Sequence, residues 1–188
     1  MGGTPETSER GTAMADTSGG QGVGILPFTG ESIGDVGETM SAPEMPPGLF
    51  EEIEGLDVAL LAGGTAIDVV FRGDGPNGFS LANMRLAPDY ILPTHRHDVD
   101  CLYYVQSGSI LLGRRCIDAG GGFLVRANRA YGYRAGPEGA TVLEFRHATG
   151  FNMIITETSP AKWREMVEVA QQNEGWQGFA ESVALPKA

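Results

Sequence analysis

The chain has 188 residues, a formal net charge of −11 and 41% hydrophobic residues, enough for one domain with a real core and a tail. That acidity argues against broad attraction to nucleic acid or to an anionic membrane surface. No apolar run approaches the roughly 20 residues that span a bilayer, so neither a nucleic-acid nor a membrane partner is expected.

The N-terminus shows no basic segment followed by an apolar stretch, and a signal peptide is not expected. Cys101 and Cys116 are the only cysteines. Two are too few for a disulfide framework, and reduced thiols in a cytoplasmic protein are the simplest reading.

Residues Met1 to Pro47 differ from the rest. "MGGTPETSERGTAMADTSGGQGVG" is rich in Gly, Ser, Thr and Glu with almost nothing to bury. Such a stretch cannot offset its ordering entropy, so residues 1–47 are expected to be flexible. Within them "ILPFTG" (Ile25 to Gly30) is an apolar island able to dock on the domain or on a partner.

From Gly48 to residue 158 the pattern is short apolar runs separated by Gly, Pro and Asp. "LDVALLAGG", "TAIDVVFRGDGPNG", "FSLANMRLAPD", "LYYVQSGSILLGRR", "GGFLVRANRAYGYRAGPEG" and "ATVLEFRHATG" read as strands closed by turns. Close-spaced strands with glycine turns predict an all-β domain, a sandwich or a small barrel. Residues 159–188 form a helix and tail. Ser159 suits the N-cap and Pro160 the first helical position, while Trp163, Met166, Val167 and Ala170 make one apolar stripe. The helix is predicted to end near Asn173, with its stripe against the barrel's outside or a dimer mate.

Two of the three histidines, His95 and His97, stand one residue apart in "ILPTHRHDVDCLYYVQSG". On a strand they share a face, and imidazoles projecting together can reach one divalent ion.

At these residues the chain resembles the cupin superfamily. "APDYILPTHRHDVDCLYYVQSG" supplies Pro88, Pro93, His95, His97 and Gly108 in register with the family's first motif, with Asp89 in place of its turn glycine. "GGGFLVRANRAYGYRA" follows the rhythm of the second. The resemblance covers roughly Gly78 to His147. It implies a cupin-type antiparallel β-barrel, the double-stranded β-helix or jelly roll, with the site in its mouth.

The ligand pattern departs from the family's. Cys101 falls where the family has its metal-binding glutamate, and Tyr131 where it has its third histidine. Arg126 and Asn128 replace the proline and glycine of the second motif. Only His95 and His97 carry over as matched ligands. Three residues could complete the set: His147, returned by an antiparallel strand, then Cys101 as thiolate, then Tyr131 as phenolate. Asp98 and Asp100 lie on the opposite strand parity. Cys101 equally reads as a packing residue. The cysteine at that position is similar to the cysteine dioxygenases, which nevertheless keep a third histidine.

Six arginines between Arg114 and Arg146 make the barrel locally basic, and a carboxylate or phenol is the expected substrate class. Arg126 is the one assigned an inward role. Tyr103, Tyr104, Phe123, Tyr131 and Tyr133 would line a pocket of aromatic walls with polar tips, with Met84 and Phe145 adding apolar surface. Tyr131, Tyr133 and Arg126 are the candidate catalytic groups, and His95, His97, His147 and Cys101 the candidate metal ligands. The cofactor expected is a divalent transition metal, iron first, then manganese, nickel or zinc. Dioxygenase-type oxidation of a small organic molecule leads, with metal-dependent lyase or isomerase chemistry and non-catalytic binding or sensing as alternatives. Cupins commonly pair, so a homodimer is expected, its barrel edge covered by the C-terminal helix or by "GLFEEIEGLDVALL".

Overall fold

The computed structural model of the chain describes residues 25–187 except 36, 38, 39, 76 and 151; the stretch Met1–Gly24 lies outside them. Among the described residues nine antiparallel strands form one sheet. They are β1 Gly34–Asp35, β2 Thr65–Arg72, β3 Ser80–Leu86, β4 Ile91–Arg96, β5 Cys101–Leu112, β6 Arg115–Asp118, β7 Gly122–Val125, β8 Tyr131–Arg146 and β9 Ile154–Ile155. The antiparallel β architecture expected from the sequence is the one the chain adopts.

The 16-residue β8 is the hub. Its first third pairs with β4, bringing His95 opposite Tyr131. Its last seven residues pair with β3, with Met84 opposite Val142. Strand β5 runs beside most of its length, placing Cys101 opposite Arg146 and Tyr103 opposite Glu144. Strands β6 and β7 extend from β5. The sheet wraps a core of Met84, Leu86, Tyr90, Tyr103, Val105, Ile110 and Val142, all buried. Alternation along β5 is strict at its start: Cys101, Tyr103 and Val105 point in, Leu102 and Tyr104 out.

Two residues other than glycine stand in left-handed turns. Asp89 has φ 60° and Asn128 φ 62°, and both stand where the resembling motifs carry glycine. Asp and Asn are the residues that best tolerate this region after glycine.

The run "VALLAGG" is a 3-10 helix over Val58–Gly64, not the strand expected. It has one β-branched residue among seven, so local preference for extended backbone is weak. Its path is set by packing, because a Cβ on Gly64 would meet Tyr90 and Trp176 ring carbons at 2.5 and 2.6 Å.

The C-terminal helix forms as read. Helix α2 spans Pro160–Gln172, and Ser159 Oγ accepts a hydrogen bond from the Lys162 backbone N–H. Its stripe Trp163, Met166, Val167 and Ala170 is buried. Trp163 and Met166 build a second core with Leu49 and Ile53 of "GLFEEIEGLDVALL", where a short helix α1 covers Leu49–Glu52, and with Ile155, while Ala170 packs into the main core. A third helix, α3, spans Phe179–Val183. No helix among the described residues is long and apolar enough to cross a membrane.

The packed structure begins before residue 48. Strand β1 pairs with β2, the Ser32 amide donates to Pro186 O at 2.7 Å, and Glu44 exchanges backbone hydrogen bonds with Met153 and Ile155, each at 2.9 Å. These hydrogen bonds tie Ser32 and Glu44 to the rest of the domain. Of the island, Phe28 packs at 5.2 Å from Phe71, while Ile25 and Leu26 remain exposed.

Candidate metal centre

Strand β4 presents His95, and His97 follows one residue past its end; both are buried. Nδ1 of His95 donates to Pro93 O at 2.9 Å, and Nδ1 of His97 to Asn152 O at 2.6 Å. A carbonyl only accepts, so the proton sits on Nδ1 and the lone pair of each neutral ring on Nε2. The rings are 4.8 Å apart at an interplanar angle of 72°. Burial lowers both pKa values, that of His95 to about 4. Both imidazoles are therefore neutral at pH 7.

The inner faces of β5 and β8 supply the rest. Cys101, Tyr103, Glu144 and Arg146 lie side by side through the strand register. One ligand atom each of His97, Cys101 and Glu144 falls within 4.8 Å of the others, and all three are buried. Burial, then the Glu144 charge, pushes the Cys101 thiol well up, so it stays protonated until a cation competes for the sulfur. Glu144 Oε1 accepts from Arg146 Nε at 2.9 Å.

Three tyrosines complete the wall. Tyr103 and Tyr131 hydroxyls hydrogen-bond to each other, and the Tyr131 ring lies 4.4 Å from that of His95. Burial first, and the Glu144 carboxylate second, raise the pKa values of Tyr103, Tyr131 and Tyr133. They stand as neutral hydrogen-bond donors. These groups line a cavity of about 60 Å³ closed on its apolar side by Met40, Met84 and Met153. That volume holds a few water molecules or one end of a small organic ligand.

The structure thus brings His95, His97, Cys101, Tyr131 and Tyr133 together and corrects two assignments. His147 follows Arg146 on the opposite parity, so it is exposed and stacks on Phe79 with ring centroids 4.9 Å apart. Arg126 is also outside, with a side chain 75% exposed and paired to Asp100 at 2.6 Å. There it ties the turn after His97 to the turn before β8, since Asp100 also accepts from Ala127 N at 2.8 Å. Tyr104 and Phe145, expected in the pocket, face outward. Cys101 reaches the histidines for a reason other than shared parity: a turn at Asp98–Val99 separates β4 from β5.

Sequence reasoning missed Glu144 as a site residue and counted Arg146 only as one of six arginines. The usable signal was a charged pair two residues apart on one strand parity, sharing that parity with Val142.

The group His97, Cys101 and Glu144 offers one imidazole, one thiol and one carboxylate, donors that suit a divalent transition ion, with the His95 ring 4.8 Å from that of His97. These features define a class: an antiparallel β domain with a buried His97, Cys101 and Glu144 cluster inside its sheet and His95 beside it. No protein-family model matches the chain, and no curated protein matches it. Solved structures of similar shape include the polyketide cyclase RemF from Streptomyces resistomycificus, with TM-score 0.46, 19% identity, and 57% of this chain and 83% of that one covered. Others are a protein of unknown function with a cupin-like fold from Ralstonia eutropha (0.43, 19%, 61% and 79%) and an RmlC-like cupin from Shewanella frigidimarina (0.41, 17%, 46% and 78%). The likeness is to the cupin fold and is one of fold alone.

Proposed function

We propose that the chain is a mononuclear metal-dependent cupin acting on a small organic anion or phenol. His95, His97 and Glu144 serve as ligands, with Cys101 as a fourth donor. The observation that carries this reading is the gathering of His97, Cys101 and Glu144 within 4.8 Å of one another, beside His95, with both imidazoles anchored through Nδ1 by backbone carbonyls and left with a free Nε2 lone pair. Ligating histidines usually donate their other ring N–H to a carbonyl or carboxylate in this way.

Two histidines and one carboxylate are the set that suits Fe(II) with open positions, which places iron ahead of manganese, nickel and zinc. When bound, such an ion supplies Lewis acidity and positions for substrate and for O₂ or water. The chain's own groups then divide the work. The Arg146 guanidinium, 1% exposed at the cavity wall, attracts and orients an anionic group. The hydroxyls of Tyr131 and Tyr133, held protonated by burial, donate hydrogen bonds and serve as proton source. Oxygenation is the leading reaction, with lyase or isomerase chemistry as a different use of the same groups.

The Glu144–Arg146 pair favours a second reading, a binding site for a neutral organic ligand, because it balances the buried charge by itself. Metal analysis of protein purified without chelator or immobilised nickel separates the two. Iron, manganese, nickel or zinc near one equivalent, lost in His95→Ala/His97→Ala, supports the metalloenzyme. A protein that takes up none of these ions on addition overturns it.

A further inference from the structure

The cavity at the metal centre continues along the sheet, and the strand register orders its wall in rows. Glu144 of β8 stands between Ala82 of β3 and Tyr103 of β5. Two residues along, Met84 of β3 stands between Ile67 of β2 and Val142 of β8. Two further along, Leu86 of β3 stands between Thr65 of β2 and Ala140 of β8. Glu144, Ile67, Met84, Thr65 and Leu86 all line the one cavity. At about 3.4 Å per residue the Thr65 row lies about 14 Å along the strands from the Glu144 row. The wall is therefore charged at one end, apolar in the middle, and carries a hydroxyl among apolar groups at the other.

Packing does not explain that hydroxyl. Thr65 Oγ1 is buried and has no hydrogen-bond partner among the described residues. A buried hydroxyl left unpaired costs stability, and valine would give nearly the same shape without that cost. Ser80 and Thr156 also hold buried hydroxyls without such a partner, but neither lines the cavity.

We infer that the cavity takes a slender carboxylate carrying a hydroxyl or carbonyl at its far end, and that Thr65 recognises that end. The inference rests on the metal-site reading for the head of the ligand, which lies at the ion and Arg146. The middle of the ligand runs past Ile67 and Met84, whose side chains are apolar and, for Met84, adaptable. Its terminal oxygen pairs with Thr65 Oγ1. Oγ1 is covered as it stands, and one step about χ1 to another staggered position re-aims it.

Size points the same way. At roughly 12 Å³ for each water-sized position, the cavity's volume of about 60 Å³ corresponds to about five such positions. Spread over rows about 14 Å apart, that volume admits a chain and not a broad ring system. A site that hydrogen-bonds a ligand hydroxyl also discriminates strongly against the analogue lacking it, which makes Thr65 a specificity-determining residue.

The test is calorimetric binding of hexanoate and 6-hydroxyhexanoate, with the matching four- and five-carbon pairs, to the full chain before and after addition of zinc. With zinc, the hydroxy acid of best-fitting length should bind roughly fivefold to tenfold more tightly than its unsubstituted partner. Thr65→Val should remove that preference and leave binding of the unsubstituted acid unchanged, while Thr65→Ser should keep it. Should Thr65→Val fail to fold, Thr65→Ala takes its place. Absence of the preference at every length overturns the inference. So does a preference that survives Thr65→Val, or no binding of either acid at 10 mM. Zinc uptake, measured on the same samples, keeps the two readings apart. Protein that takes up zinc without the preference overturns this inference and leaves the metal reading standing. Protein that shows the Thr65-dependent preference without taking up zinc does the reverse.

Discussion

Nε of Arg146 donates a 2.9 Å hydrogen bond to Oε1 of Glu144, two residues back on β8, and both side chains are buried on its inner face. Removing one partner leaves the other charge in the interior. Glu144→Gln keeps the side-chain shape and is expected to cost about 3 kcal/mol in urea unfolding. Glu144→Leu/Arg146→Met, which removes both charges, is expected to be closer to wild type than either single change. A double variant as unstable as the sum of the two would show that the pair is not coupled.

Cys101 lies within 4.8 Å of His97 and Glu144, although its thiol is held protonated without a cation. Cobalt(II) added to the protein is expected to give a sulfur-to-metal charge-transfer band in the near ultraviolet, and proton release should accompany it. Cys101→Ser should abolish the band while His97→Ala abolishes binding. Cobalt binding without that band would remove Cys101 from the ligand set and leave His95, His97 and Glu144.

Asp68 of β2 joins both ends of the described chain. Burial raises its pKa, but hydrogen bonds from Ser32, from Leu185 N at 3.2 Å and from Arg85 outweigh this, and the net shift is downward. A lowered folded pKa means that the stabilisation is present above the unfolded value, about 4, and is lost as pH falls through the folded value. Wild type is therefore expected to exceed Asp68→Asn in stability at pH 6, and the difference should shrink steadily below pH 4. Urea unfolding at pH 6 and pH 3 checks it. A difference unchanged at pH 3 would show that the carboxylate charge does not hold the ends.

Asn128 has φ 62° and its amide donates to His97 O at 2.6 Å, so this turn bears on the placement of the second histidine. Asn128→Gly keeps the conformation available and should be nearly neutral. Asn128→Ala should lose about 1 kcal/mol and, if His97 is displaced, weaken metal uptake as well. Thermal unfolding of the two variants side by side decides the matter.

The sequence carried the strands, the capped helix and the histidine pair because each depends on local pattern. Ser159 followed by Pro160 marks a helix start by itself, and "HRH" places two rings on one side by itself. Glu144 was not legible for a physical reason. In "TVLEFRH" both parities hold apolar residues, and the ordinary rule puts Leu143 and Phe145 inside with Glu144 and Arg146 in water. Only the pairing of β8 with β5, made across 40 residues of chain, shows the reverse. His147 was misplaced by the same inversion. Arg126 was assigned inward by motif position, and its Asp100 partner, on another turn, could not be read locally. "VALLAGG" failed as a strand because its conformation is dictated by Tyr90 and Trp176, distant in sequence.

Interleaving inward and outward residues on β5 and β8 also constrains how such a chain can diverge. Loss or gain of one residue between Cys101 and Tyr104, or between Leu143 and Arg146, would exchange the two faces and deliver Leu102 or Phe145 to the cavity. The contact of Gly108 with Gly139, where a Cβ would lie 2.0 Å from a carbonyl oxygen, pins the two strands against slipping to absorb the change. Descendants of this chain can therefore vary in length at turns such as Gly113–Arg114. Within Cys101–Val105 and Val142–Arg146, where the pairing runs without a bulge, they are bound to a two-residue frame.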